Sequence, residues 1–170
     1  MTISIRPATI NDIPLLSQLA PDIYREHFSH LWYSAEEMEA YLVSEYSESI
    51  LTKSLKDPAV GWFVAYNNAP IGFAKLTRDS VIPDTNLSGV LLNKLYLNAA
   101  VTGKKYGKVM FEYLVREAKK QKQTFFWLEV LEQNPRARKF YEQQGMTFIK
   151  DTLFKTESQQ STIHVMGMNI

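Results

Sequence analysis

The stretch that decides the reading of this chain begins Leu92-Asn93-Lys94-Leu95-Tyr96-Leu97 and continues to Gly103-Lys104-Lys105-Tyr106-Gly107-Lys108. It goes on through Trp127-Leu128-Glu129-Val130 and the run 134–141. A strand feeds a glycine-bearing loop, and the loop feeds a helix N-terminus whose backbone N–H groups can cradle a phosphate. Tyr106, Val109, Met110, Tyr113, Leu114 and Ala118 mark one face of that helix, and Lys119, Lys120 and Lys122 suit the negative end of its dipole. Residues 124–130 are apolar enough for a buried strand. Asn134-Pro135 starts another helix, with Asn as N-cap and Pro at the first helical position, and Gly145 stops it. Tyr141 falls on the apolar face of this helix. The pattern points to a pyrophosphate-bearing cofactor with an acid placed beside it.

Upstream, residues 3–6 alternate as a short strand. Thr9 and Asp12 form a capping box, and Ile13, Leu16, Ala20, Ile23, Tyr24 and Phe28 follow at helical spacing. Pro21 is expected to bend or break that helix. Ser34 and Glu37 announce a second helix striped by Met38, Tyr41 and Leu42, and a third runs from about 48 to 55. The period then changes: 61–66 and 71–77 read as strands joined by Asn67-Asn68-Ala69-Pro70, 78–86 as a loop, and 89–97 as a long strand. Downstream, 148–153 and 162–168 are closing strands separated by the polar loop 157–161. The order predicts an α/β mixed sheet with helices packed on it, in one domain spanning 1–170.

Composition narrows the function. The net charge of +1 gives no global field for nucleic acid or anionic membrane. The absence of Cys excludes disulfides, thiol catalysis and Cys-ligated metals, and it suits a reducing cytosol. Nothing approaches about 18 consecutive apolar residues, and residues 1–7 lack a charged segment followed by a long apolar run. The expectation is a cytoplasmic domain without membrane or nucleic-acid partners. His27 and His30 are three apart with no evident third ligand, so no metal is expected.

The loop 101–108 superficially resembles a nucleotide-binding P-loop. That motif needs four residues between its glycines and a Ser or Thr after the Lys, whereas here three intervene and Val109 follows Lys108. Read alone, the loop leaves two alternatives: a cradle for a cofactor pyrophosphate, or a glycine-softened turn with solvated lysines.

Residues 101–107 resemble motif A of the GNAT superfamily of N-acetyltransferases, with Thr102 and Lys105 departing from its Gln/Arg-x-x-Gly-x-Gly/Ala pattern. Asn134, Ala137, Phe140, Tyr141 and Gly145-Met146 resemble motif B, and Arg6-Pro7-Ala8 with Asp12-Ile13 is similar to the family's opening. The resemblance implies a GNAT-like, mostly antiparallel sheet of six to seven strands, helices on both faces, and a V-shaped splay between the fourth and fifth strands. It implies acetyl-CoA as co-substrate. The backbone of Leu95 and Leu97 would pair with the pantetheine, a backbone N–H near Leu97 would polarise the acetyl carbonyl, and Gly103, Lys104, Lys105, Tyr106, Gly107 and Lys108 would hold the pyrophosphate. Asn134 would contact the pantetheine arm and Phe140 would pack near it. Tyr141 would protonate the leaving thiolate as general acid, against the bland alternative of a core tyrosine. The position where many members carry a basic Glu corresponds to Asn93, which cannot serve. Glu129 is the candidate substitute base; a satisfied carboxylate at the cleft edge and proton loss through ordered water are the alternatives. If Lys105 needs an unusual backbone angle, cofactor affinity suffers.

Between the first two strands lie Tyr24, Phe28, Trp32, Tyr33, Glu37, Tyr41 and further acids. Aromatics with carboxylates suit a cationic amine, and the pattern resembles a bacterial GNAT subgroup acting on spermidine and spermine. Tyr24, Phe28, Tyr33, Glu37 and Tyr41 are the candidate acceptor residues; the alternative is an amphipathic helix pair with a solvated acidic face. The expected activity is direct acetyl transfer to a small amine. A protein lysine or N-terminal acetyltransferase and a non-turning acyl-CoA sensor are the alternatives, and a homodimer is compatible with the family.

Overall fold

The computed structural model describes residues 2–103 and 105–170. The chain opens with β1 (Ser4–Pro7) and a single 3-10 turn, Ile10–Asp12, leading into α1 (Ile13–Phe28). Thr9 caps that turn, and its N–H donates to Asp12 Oδ2 at 2.8 Å, completing the predicted capping box. Arg6 donates twice to the same carboxylate, at 2.7 and 2.9 Å, and once to Tyr66 Oη at 2.7 Å. This fork fixes β1 to the start of α1, and the Arg6 guanidinium holds the Asp12 carboxyl below its ordinary range.

α1 does not break at Pro21 but runs through it. The ring removes the N–H that would bond the Ser17 carbonyl. That single loss is outweighed by burial of Leu16, Ala20, Ile23, Tyr24 and Phe28 along one stripe. α2 (Ala35–Tyr46) is capped by Ser34, whose Oγ accepts from Glu37 N at 3.2 Å, and α3 (Glu48–Lys56) by Ser47.

β2 (Val60–Tyr66) turns through Asn68, at φ +64°, into β3 (Pro70–Val81). The strand therefore outlasts its predicted end, and 78–81 are not loop. Asp79, which reads as a breaker, is held by Gln123, whose Oε1 accepts from Asp79 N and whose Nε2 donates to Asp79 Oδ1. Ser80 O accepts from Trp127 Nε1 at 3.1 Å. Partners distant in sequence keep this polar segment extended.

β4 (Ser88–Leu97), a 3-10 turn (Ala99–Val101), α4 (Tyr106–Lys120), β5 (Phe125–Leu131), α5 (Pro135–Gln143), β6 (Thr147–Lys155) and β7 (Gln160–Asn169) complete the chain. The seven strands are ordered β1-β2-β3-β4-β5-β7-β6. Pairings β1–β2, β5–β7 and β6–β7 are antiparallel, and β4–β5 is parallel. This is the mixed sheet that the order of elements predicts, and mostly antiparallel as the family resemblance implies. The β4–β5 register comprises Val90, Leu91 and Leu92 against Phe126, Trp127 and Leu128. Gly89 permits it: a Cβ there would lie 2.1 Å from Phe125 O. β4 runs five residues past that register, to Leu97. Among the described residues, no helix is long and apolar enough to cross a membrane.

The chain divides into two compact units, Met1–Leu76 with Lys94–Tyr113, and Thr77–Asn93 with Leu114–Ile170. The first has an aromatic core in which Tyr46, Trp62, Phe73 and Tyr96 pack at ring separations of 5.6 to 6.4 Å, Trp62 stacked on Phe73 and Tyr46 edge-on to both. Lys94, 5% exposed, is buried against this core, with Nζ 2.8 Å from Glu45 Oε1 and 4.9 Å from the Tyr46 ring centroid. The second has a core of Ile82, Trp127 and Val165, flanked by Leu91, Phe125 and Ile149.

Candidate active site

In the first unit the site begins at the end of β4. Asn98 N donates to Ile71 O at 2.7 Å, so Asn98 turns its backbone toward β3. Backbone groups alternate along a strand, so Leu97 and Leu95 present theirs to the other edge. Leu97 O is taken by His27 Nε2 at 2.6 Å, a partner the sequence reading missed. Ala99 N donates to Glu26 Oε2 at 2.9 Å, and Asn98 Oδ1 accepts from Ala100 N at 3.0 Å.

The loop then leads to the start of α4. Gly103 has φ +84° and Lys105 φ +65°. Val109 N reaches back to Lys105 O, which places Lys105 at the cap and leaves the N–H groups of Tyr106, Gly107 and Lys108 outside the intrahelical ladder. Lysine carries donors only, so the residue at the cap cannot satisfy them. A cation at the positive end of a helix is unfavourable unless an anion joins it. Tyr106 is buried and its Oη accepts from Asn67 Nδ2 at 2.9 Å, which pins the helix start. Lys108 is exposed, with Glu112 3.9 Å away. Lys104 lies outside the described residues. This donor set fits a diphosphate.

The predicted acceptor residues also lie in the first unit, and three of them meet. Tyr24 packs on Phe28 at 4.8 Å and on Tyr41 at 5.4 Å between ring centroids. Tyr96 joins edge-on to Tyr24 and Phe28, and Trp32 packs on Tyr41 while its Nε1 donates to Tyr24 Oη at 3.1 Å. Beyond strand alternation, no sequence signal marks Tyr96 as a member of this cluster. Tyr33 is 75% exposed, and Glu37 is half-buried in the first turn of α2. Several acids of this region already have partners. Arg25 donates to Glu39 at 2.6 and 3.0 Å, Lys94 pairs with Glu45, and Glu26 holds Ala99 N.

Asn93 and the remaining candidates lie in the second unit. Asn93 Oδ1 accepts from Thr77 Oγ1 at 2.7 Å, which leaves this position structural. Glu129 sits on β5 opposite Val165. It reaches solvent, yet the surrounding protein pushes its carboxyl pKa upward by desolvation. Asn134 caps α5, its Oδ1 accepting from Ala137 N at 3.2 Å. Phe140 and Tyr141 touch edge to face at 5.3 Å. Tyr141 is half-buried, and burial pushes its phenol well above the ordinary tyrosine value. It therefore stays protonated at neutral pH and is chemically a proton donor.

A family model described as the acetyltransferase (GNAT) family matches residues 19–146. Among solved structures, a PaiA N-acetyltransferase from Thermoplasma acidophilum in complex with coenzyme A is 23% identical, covers 100% of both chains and superposes with a TM-score of 0.74. A spermidine/spermine N-acetyltransferase, SpeG, from Vibrio cholerae is 15% identical over 99% of this chain and 95% of its own, with a TM-score of 0.68. A ribosomal-protein alanine N-acetyltransferase from Escherichia coli is 18% identical over 99% and 94%, with a TM-score of 0.68. At these identities the structural likenesses establish the fold.

Proposed function

We propose a reaction for this chain on one premise: the chain belongs to the acetyltransferase (GNAT) family. It moves an acetyl group from acetyl-CoA to a primary amine of a small acceptor, by direct attack with both substrates bound. Residues 1–170 act as one N-acetyltransferase domain. The observation that carries this reading is the start of α4, where three N–H groups stand outside the helical ladder behind a left-handed Lys105. Gly103, Lys104, Lys105, Tyr106, Gly107 and Lys108 hold the diphosphate there. The backbone of Leu95 and Leu97 pairs with the pantetheine, and Asn134 and Phe140 contact its arm. A carbonyl has two lone pairs, so Leu97 O can keep His27 and still accept from an amide.

The co-substrate supplies an acyl group activated as a thioester. A backbone N–H near Leu97 polarises the acetyl carbonyl. As the amine nitrogen bonds to the carbonyl carbon and the carbon–sulfur bond breaks, Tyr141 gives its phenolic proton to the departing sulfur, and the second proton released by the attacking nitrogen restores the phenol through solvent. An alkylammonium, with a pKa of roughly 10, must first lose a proton. Glu129 takes it, and the upward push on its carboxyl makes it a stronger base than an ordinary glutamate.

Tyr24, Phe28, Tyr33, Glu37 and Tyr41 form the acceptor side. Their aromatic faces suit a cationic amine, and the shared fold of a spermidine/spermine acetyltransferase supports polyamines as the first candidates. The test is a thiol-release assay with acetyl-CoA over spermidine, spermine, aminoglycosides and peptides. Turnover with a small polyamine is the expected result. Turnover confined to peptides contradicts the small-acceptor reading, and CoA binding without turnover of any amine contradicts catalysis.

A further inference from the structure

Two consecutive side chains at the end of α1 reach the end of β4. His27 Nε2 lies 2.6 Å from Leu97 O, and Glu26 Oε2 accepts from Ala99 N at 2.9 Å. Between them, Asn98 N is bonded to Ile71 O of β3 at 2.7 Å. Three successive residues thus have a backbone group each tied to α1, β3 and α1 in turn. The need is physical. β4 has run past its parallel register with β5, and strand backbone outside a ladder must find other partners or stay mobile. A carbonyl can only accept, so His27 Nε2 carries a proton, and the neutral ring is fixed as the Nε2–H tautomer.

We infer that His27 and Glu26 are positioning residues that hold Leu97 and Ala99 in register for the acyl donor. This rests on the acetyl-CoA reading above. Leu97 is the residue whose backbone meets the pantetheine in that reading, and Ala99 opens the turn that leads to Gly103 and α4. Displacing either shifts the oxyanion donor and the diphosphate loop together, and misplacement on the ångström scale is expensive in catalysis. The role needs no proton transfer, because neutral imidazole and imidazolium both donate from Nε2. That separates it from general-base catalysis by the same residue.

The test compares His27→Leu, His27→Gln and Glu26→Ala with the unsubstituted chain. The measurements are calorimetric CoA binding, steady-state kinetics across pH, and amide hydrogen exchange of residues 97–102 in the ligand-free protein. His27→Leu is expected to weaken CoA binding and raise KM for acetyl-CoA about tenfold, the scale of one lost hydrogen bond. The acceptor KM and the limbs of the kcat/KM pH profile stay unchanged, and exchange at 97–102 quickens. His27→Gln, whose amide N–H can still reach Leu97 O, recovers most of the affinity. Glu26 is exposed, so Glu26→Ala keeps the fold, and it shows the same split at about threefold. Unchanged CoA affinity in both His27→Leu and Glu26→Ala overturns the inference. So does loss of the acidic limb in His27→Leu, which would make His27 the base. Failure of the unsubstituted chain to bind CoA overturns the acetyl-CoA reading itself, and it is recognised without any variant.

Discussion

Lys105 occupies the left-handed region at φ +65° in the loop ahead of α4, where a side chain brings Cβ against the following carbonyl. Replacing Lys105 with Gly relieves this, and thermal unfolding should report a gain of about 1 kcal/mol. A loss of stability instead would mean that the lysine side chain contributes more than its backbone costs. In the proposed reaction Tyr141 is the general acid. Its raised pKa means that no alkaline fall in rate below about pH 10 belongs to it, since the phenol is still protonated there. Tyr141→Phe should lower kcat by roughly 100-fold or more while CoA binding stays as it was. A kcat within about twofold of the unsubstituted enzyme would remove Tyr141 as the acid. Residues at this scale were legible where type and position coincide, as at Asn134, which caps α5 as its place before Pro135 predicts. They were illegible where burial reassigns a charge. Lys94 and Glu45 are 49 positions apart, and only the packed core makes them a pair. For the same reason the acids beside the aromatics leave less negative charge for an acceptor than their number suggests.

Among elements, the joint between β1 and α1 is the most explicit in its chemistry. Asp12 is bound by Arg6 and by Thr9 N, and its carboxyl pKa is lowered in the folded protein. Its contribution to stability is full above the unfolded carboxylate value of about 3.9 and is lost as pH falls through the lowered folded value. Urea unfolding between neutral pH and acid should show that loss. Asp12→Asn should cost about 2 kcal/mol at neutral pH and flatten this part of the acid dependence. An unchanged acid profile would mean that the fork contributes nothing net. Element boundaries were legible where capping and periodicity are local, as at Thr9, Ser34 and Asn134. They failed at 78–81, where the local signal says loop and the deciding partners, Gln123 and Trp127, are remote. At Pro21 the helix continues rather than breaks, because a buried stripe holds it.

For the whole molecule, the fold was readable because strand, loop, helix and strand recur in a fixed order from Leu92 onward. What no sequence pattern carried is the tie of α1 to the end of β4 through His27 and Glu26, since the backbone atoms they hold have no signature of their own. With a net charge of +1, the chain cannot gather an anionic donor by its overall field. In the proposed reading, binding comes from the local donors at the start of α4. Titration of the purified protein with coenzyme A in a calorimeter therefore tests the central claim most directly. The account predicts one saturable site per chain, weakened by raising salt, because lysines and helix N–H groups hold the diphosphate. The absence of saturable binding at millimolar coenzyme A would contradict it.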